Sequence, residues 1–402
     1  MLSKNIAKRI FFNSLKEDIS IPNLIQHQKK SYDWFLKEGL KELFAEISPI
    51  KDYIGRDLEL YFRDYYFDDS KFDEITARER NVTYEAPLRV KIELVNKKTK
   101  KSKIQEIYFS DFPLMTKKGT FIINGIERVV VSQLVKSPGV FFSRESIKGC
   151  FFYGAKIIPN RGAWIEIETD GNGIMWVRID RKRKIAATAL LRAFGYGADE
   201  EILDLFKEFE NKEEIKYIKN TFKKDVTHNV EEGLIEIYKH IRPGDMASPD
   251  NAKSLIYAMF FNFSRYDFGK VGRYKINQTF KSNIPITKEN RTFKKEDLVN
   301  VLKRIMSLNV SQEKSDDIDH LSNRRVRAVG ELVQNKLRIG LARMERIIKD
   351  RMSTYELETI TPNSLINIRL ITNIMREFFM SSQLSQFMDQ INLLAELEHK
   401  RR

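Results

Sequence analysis

Apolar positions recur every three or four residues between 22 and 47: Tyr32, Phe35, Leu36, Leu40, Leu43, Phe44 and Ile47. That spacing predicts a helix with Pro22 in its first turn, ended by Ser48-Pro49. From 56 to 110 the period falls to two, and Leu58–Phe62, Leu88–Leu94 and Ile104–Phe109 read as strands. Residues 120–133 predict a hairpin around Asn124-Gly125, the pair a type I′ turn prefers because both residues must accept positive φ. Ser137-Pro138-Gly139 should break that ladder, since proline has no N–H to give. A second hairpin spans 163–180, with Asp170-Gly171-Asn172-Gly173 as its turn. Here Ile165 and Ile167 share one face while Trp164, Glu166 and Glu168 share the other. A tryptophan on a polar face needs a neighbouring domain or a ligand to cover it.

Residues 184–310 pattern as mostly helical, with Ser248-Pro249 as cap and first turn before Ala252–Phe261. Lys212–Lys224 reads as a solvated, charge-dense stretch. A long helix is predicted over 323–351 from the stripe Val326, Val329, Val333, Leu337, Leu341, Met344 and Ile348. Nine basic residues lie between these positions against three acidic ones, which suits either a solvated face or a phosphate-gripping one. Residues 364–390 continue as helix and loop.

Composition narrows the classes. The chain has 402 residues, 42% of them hydrophobic, enough for two or three cored domains. No stretch approaches the ~20 apolar residues of a membrane helix, and residues 1–10 show no signal-peptide core. The single cysteine, Cys150, precludes an intrachain disulfide and points to a reducing compartment. A net charge of +14 favours a polyanionic partner, although the Lys, Ile and Asn usage of an AT-rich genome would raise it too. No Walker loop, GxGxxG or HExxH occurs. Asp316-Asp317-Ile318-Asp319-His320 is the one carboxylate cluster, read as capping or salt bridging to the arginines after it rather than as a hard-cation site. Gly269-Lys270-Val271-Gly272-Arg273 reads as a turn. From the residues alone, the chain is a basic, multi-domain binding surface without visible catalytic apparatus.

Three longer strings carry a family resemblance. Gly119–Leu134 (GTFIINGIERVVVSQL), running into Ser137–Phe142, resembles the β subunit of bacterial DNA-directed RNA polymerase. Arg324–Leu332 (RRVRAVGEL), after Asp319-His320-Leu321, resembles its second signature. Ser381–Gln390 (SSQLSQFMDQ) with His399-Lys400-Arg401-Arg402 resembles the rifamycin-resistance region. Shorter matches lie at Ile157–Gly162, Val177–Lys184, Arg265-Tyr266-Asp267 and Val271–Tyr274.

The resemblance implies a mixed α+β fold: a discontinuous protrusion (1–134 and 312–380), a mostly helical and β-hairpin lobe inserted into it (135–311), and the start of a fork domain (381–402). It implies an N-terminal fragment of a nucleotidyltransferase subunit, inactive alone, with the catalytic Mg2+ on the β′ subunit and no cofactor on this fragment. Implied partners are DNA, nascent RNA, the α, β′ and ω subunits and a sigma factor, with no membrane, in the nucleoid-associated cytoplasm. Lys136, Trp164, Asp180, Asp319 and Arg324 would line a pocket for a non-template DNA base. Arg128, Val131, Gln383, Gln386, Phe387, Asp389, His399 and Arg402 would line the rifamycin- and RNA-proximal site, with Leu384 and Phe387 as its apolar floor. Met380, Ile391 and Leu393 depart from the family's usual glycine, polar residue and proline, which bears on the shape of the 390–395 loop. The alternative is a stand-alone basic nucleic-acid-binding module without catalytic activity.

Overall fold

The computed structural model describes residues 22–53, 55, 57–147, 149–212, 215–354 and 360–402. The segment 1–10 and residues 213–214 of the charge-dense stretch lie outside the described residues. The fold is mixed α+β, with separate antiparallel sheets and packed helices. Its contacts divide into two units, one from residues 1–133 with 327–402 and the other from 134–326.

In the first unit, an antiparallel sheet runs in the order Ile50–Lys51, Leu58–Phe67, Glu85–Asn96 and Lys101–Pro113. Its alternating apolar positions (Leu60, Phe62, Leu88, Val90, Ile92 and Phe109) are buried. They share one core with Val333, Leu337, Leu341, Met344 and Ile348 of the long helix Val329–Thr354. Burying each such side chain contributes about 1.5–3 kcal/mol. The long helix starts later than its stripe predicts. Arg324–Arg327 is a strand paired with Gln133–Lys136, and Val326 is 50% exposed. Val326 fits the helical period by coincidence, because its neighbours spend their backbone bonds on a distant strand.

The first helix also starts late, at Gln26, since Asn23 turns the chain before it by accepting the Ile25 N–H at 3.2 Å. Pro22 precedes that turn. Its continuation contains a π-helical turn, Phe35–Gly39, before Leu40–Ile47. A π-turn leaves carbonyls without their usual partners, and Gln334 from the long helix donates to the Gly39 carbonyl at 3.1 Å. A second π-turn, Glu377–Ser381, is completed likewise by the Ser385 hydroxyl, which donates to the Phe379 carbonyl.

One carboxylate in this unit is raised well above its ordinary range. Glu85 is pushed up to about 7, first by burial and then by the charge of Asp111. The folded chain therefore holds that proton more tightly than the unfolded chain, whose glutamate titrates near 4.5. Its contribution to stability is fully present below pH ~4.5 and is lost as pH rises to about 7. Thermal midpoints measured across this window should fall with rising pH, and Glu85→Gln should flatten that part of the curve.

The second unit is built on a five-stranded antiparallel sheet in the order Ile185–Ala186, Met175–Ile179, Ile165–Thr169, Cys150–Ile158 and Gly139–Ile147. Ile165, Ile167, Val177 and Ile179 join a core with helices Ala187–Ala193, Val230–Ile241, Pro249–Phe260 and Lys295–Ser311. The Ser248 hydroxyl caps the third of these by accepting the Asn251 N–H. Tyr217, Ile218 and Thr221 are buried, so residues 215–224 of that stretch are amphipathic rather than wholly solvated. Gly269–Arg273 opens a helix, Gly269–Phe280, instead of forming a turn. Only Gly269 takes the left-handed conformation, at φ 71°. Arg273 is drawn inward by Asp297.

The unit boundary at 326 differs from the sequence boundary at 311. Residues 312–326 hold to the second unit through Asp316, whose carboxylate accepts the Phe142 N–H at 2.9 Å while its own N–H donates to the Phe142 carbonyl. Residues 381–402 group with the first unit.

Candidate nucleic-acid interface

The register of the second unit's sheet gathers its candidate residues at one end. Val140 pairs with Ile157, Ile157 with Ile165, and Ile165 with Ile179. Trp164 and Asp180 stand just beyond that row, and Lys136 lies three residues before Gly139, where the edge strand begins at the same end. Trp164 and Asp180 bond reciprocally. The Trp164 N–H donates to the Asp180 carboxylate and the Asp180 N–H donates to the Trp164 carbonyl, each at 2.9 Å. Asp180 and Arg181 both have positive φ (49° and 60°), so the chain reverses sharply. The Arg181 guanidinium thereby comes 5.6 Å from the Trp164 ring centroid. The indole is half-buried, on the polar face that the alternation assigns to it.

The loop before Trp164 is held from several sides. Arg325 donates to the Asn160 side chain at 2.7 Å, Arg161 and Asp267 exchange two backbone bonds, and the Arg161 guanidinium donates to the Phe263 carbonyl. At Gly162 (φ 126°) a Cβ would fall 2.5 Å from the Tyr266 ring, so only glycine fits. Tyr266 is wholly buried, which drives its hydroxyl pKa upward, with the Asp297 charge adding to the effect. Asp319 is exposed and reaches Lys136 at 4.0 Å, a loose contact of little energetic weight. The contact runs back to the strand before the cluster rather than forward along the chain. Arg324, next to Arg325, has its Nε buried without a hydrogen-bond partner among the described residues. The five residues thus form two contacts, Trp164–Asp180 and Lys136–Asp319, with Arg324 on the strand paired with Gln133–Lys136.

The first unit brings the other set together more tightly. Strand Ser385–Phe387 pairs with Ile126–Val130, placing Phe387 opposite Arg128. The Arg128 guanidinium donates to the Ser385 carbonyl at 3.0 Å and lies 4.3 Å from the Phe387 centroid. Such a cation–π contact is worth about 0.5–1 kcal/mol at an exposed site. Phe387 itself is 58% exposed, so it forms an open aromatic surface rather than a floor, whereas Leu384 packs against the core. The Val131 N–H donates to the Leu384 carbonyl at 2.8 Å. Helix Leu393–Arg401, which the sequence pattern did not reveal, carries His399. That side chain is only 5% exposed. The Asp389 N–H donates to His399 Nδ1 at 3.1 Å, so Nε2 holds the proton and donates to Gln386 Oε1 at 3.1 Å. The Gln386 amide in turn donates to the Gln383 carbonyl at 3.2 Å. The Arg402 carbonyl accepts the Ser132 N–H, and its side chain is exposed. In the 390–395 segment, Asn392 caps the helix through the Ala395 N–H, and Ile391, Leu393 and Leu394 project outward.

Two residues at these sites escaped the sequence reading. Arg181 was visible only as part of the run Arg181-Lys182-Arg183-Lys184, and its place over the indole depends on the two left-handed residues. Gln28 was hidden as one polar position of an amphipathic helix, though it is buried and bonded to segments far along the chain. Among the described residues, no group of three His, Cys, Asp or Glu side chains could hold a metal ion. Among them, too, no helix is long and apolar enough to cross a membrane.

Residues 136–327 match the family model described as RNA polymerase Rpb2, domain 2. That stretch coincides with the second unit (134–326) to within two residues at either end. The chain is 51% identical over 397 residues to the DNA-directed RNA polymerase subunit beta of Syntrophomonas wolfei, with 98% of this chain aligned. It is 47% identical over 429 aligned positions to the subunit of that name from Chloroflexus aggregans, with all of this chain aligned. The chain belongs to the bacterial RNA polymerase β-subunit family. It spans about 35% of the length of these β-subunit relatives. The family strings Gly119–Leu134 and Ser381–Gln390 meet in space through the pairing of Val129 with Gln386.

Proposed function

We propose that this chain forms part of the wall of a polymerase's DNA channel, contacting the non-template strand with its second unit and flanking the RNA–DNA hybrid with its terminal motif. The observation that carries the reading is the Trp164–Asp180 pair at the end of the sheet. A tryptophan whose backbone is fixed by two bonds, with a guanidinium over its ring, is a preorganised platform for an extruded base. The exposed Asp180 carboxylate can accept from the N–H groups of a base edge, and Lys136 and Arg324 would supply positive charge for phosphate.

At the second site, Arg128, Val131, Gln383, Gln386, Phe387, Asp389, His399 and Arg402 would face the hybrid. The polar groups converging around Phe387 would also take a rifamycin macrocycle. Chemistry would come from the assembled enzyme: the β′ subunit would hold the catalytic Mg2+, with α, ω and a sigma factor completing the complex. This part of the β chain would bind and orient nucleic acid without a metal of its own.

Trp164→Ala tests the reading. Base–aromatic stacking is worth about 1–3 kcal/mol per base. In the assembled polymerase the variant should weaken non-template-strand binding by roughly 5- to 150-fold, the factor those energies correspond to. Fluorescence titration with a single-stranded oligonucleotide, together with pause mapping on a defined template, would show it. Parental binding and pausing would remove the platform role.

A further inference from the structure

We propose that Gln28 is a positioning residue for the rifamycin- and RNA-proximal site, an inference that rests on the reading of that site given above. The side chain is 5% exposed on the first helix. Its Nε2 faces three acceptors: the Val130 carbonyl at 3.3 Å, the Ser132 hydroxyl at 3.1 Å and the Lys400 carbonyl at 3.4 Å. Two of these are carbonyls and cannot donate, so only the nitrogen end of the amide can point there. The other end, Oε1, is buried and has no hydrogen-bond partner among the described residues. Stranding a buried acceptor is unfavourable, and leucine or methionine would fill the same volume without it. A purely space-filling role therefore does not account for a glutamine here; what it adds is the donor end.

The residues that the donor holds are the neighbours of site residues. Val130 and Ser132 flank Val131, whose N–H donates to the Leu384 carbonyl. Lys400 sits between His399 and Arg402, and the Ser132 N–H donates to the Arg402 carbonyl at 3.2 Å. Gln28 thus fixes the hairpin exit to the terminal helix without touching any of the groups that would meet the ligand. The helix presenting it is itself anchored. Gly330 N–H donates to the Ser31 hydroxyl at 3.0 Å, and a Cβ on Gly330 would fall 2.0 Å from the Ser31 carbonyl oxygen. The amide is therefore delivered from a fixed platform, and the chain links positions 28, 132 and 400 into one register.

The test uses a full-length β chain carrying these residues, assembled with its partner subunits. Gln28→Leu, Gln28→Glu and Ser132→Ala are compared with the parent for rifampicin inhibition, amide hydrogen exchange and thermal midpoint. Gln28→Leu should raise the half-inhibitory rifampicin concentration roughly three- to tenfold, the scale of one ordinary hydrogen bond. It should also speed exchange at 130–133 and 398–402 while leaving the hairpin at 165–179 unchanged. Gln28→Glu should do at least as much, because a carboxylate would face two carbonyl oxygens. Ser132→Ala leaves the helix intact and should shift both readouts the same way by less. Parental inhibition and parental exchange in Gln28→Leu would overturn the proposal; should that variant not assemble, the same result in Ser132→Ala would do so. A parent that rifampicin does not inhibit would refute the reading of the site instead, and the exchange measurement would still decide the role of Gln28.

Discussion

Asp297→Ala should destabilise the second unit by about 3–5 kcal/mol, the usual consequence of removing one partner from a buried ion pair. Arg273 is completely buried. Its two terminal nitrogens meet the Asp297 oxygens at 2.9 and 2.8 Å, and one of them also donates to the Thr292 carbonyl at 2.8 Å. Asp297 additionally accepts the Lys294 N–H, satisfying the N-cap backbone at the start of helix Lys295–Ser311. Among the described residues, the alanine variant would leave a guanidinium in the core with a single carbonyl partner and an Nε that already lacks one. Urea denaturation of parent and variant would measure the loss. The double replacement Arg273→Met with Asp297→Leu removes both charges together and should recover most of it, because the cost lies in the uncompensated charge. If the single variant lost less than ~1 kcal/mol, water would have to reach the arginine.

Gly330→Ala is the second large effect. The Ser31 carbonyl oxygen and carbon lie 2.0 and 2.8 Å from where the methyl would sit, and both are backbone atoms that cannot rotate away. The first helix would have to back off the long one, at about 3 kcal/mol, the upper end of the ordinary range for overpacking. Gly340→Ala on the same helix provides the contrast. Its methyl would meet the Cδ1 atoms of Ile374 at 2.8 Å and Ile371 at 3.3 Å, tips of flexible side chains. That variant should cost about 1 kcal/mol. Similar midpoints for the two in thermal unfolding would show that the first helix yields more readily than its packing implies.

What the sequence disclosed was local, and what it concealed depended on distant partners. The Asn124-Gly125 turn was legible because both residues must take positive φ, and they do, at 50° and 78°. The face of Trp164 was legible because strand parity is arithmetic. The strand Arg324–Arg327 was not legible, since its pairing with Gln133–Lys136 lies nearly two hundred residues back and Val326 mimics the helical period. The helix at Gly269–Phe280 was masked by its opening glycines. Its formation relies on Gly272 fitting against Pro138 and on the burial of Arg273, neither of which spacing reveals. At the candidate sites, the motif strings marked the residues that would meet a ligand. They could not mark Arg181 or Gln28, whose roles come from chain reversal and from contacts 102 and 372 residues away.

The bond pair between Asp316 and Phe142 has a consequence for association between molecules. Strand Gly139–Ile147 is the last of its sheet, and an uncovered last strand is a template on which another chain can add itself. Asp316 occupies both the N–H and the carbonyl of Phe142, as one residue of a neighbouring strand would. Farther along, Ser143, Arg144, Glu145 and Ser146 present polar and charged groups. A newly synthesised chain therefore meets its copies with a sealed margin at the apolar stretch and a repellent one beyond it. The first carboxylate of the cluster read as a capping or bridging group thus occupies the outward hydrogen-bonding groups of an edge-strand residue.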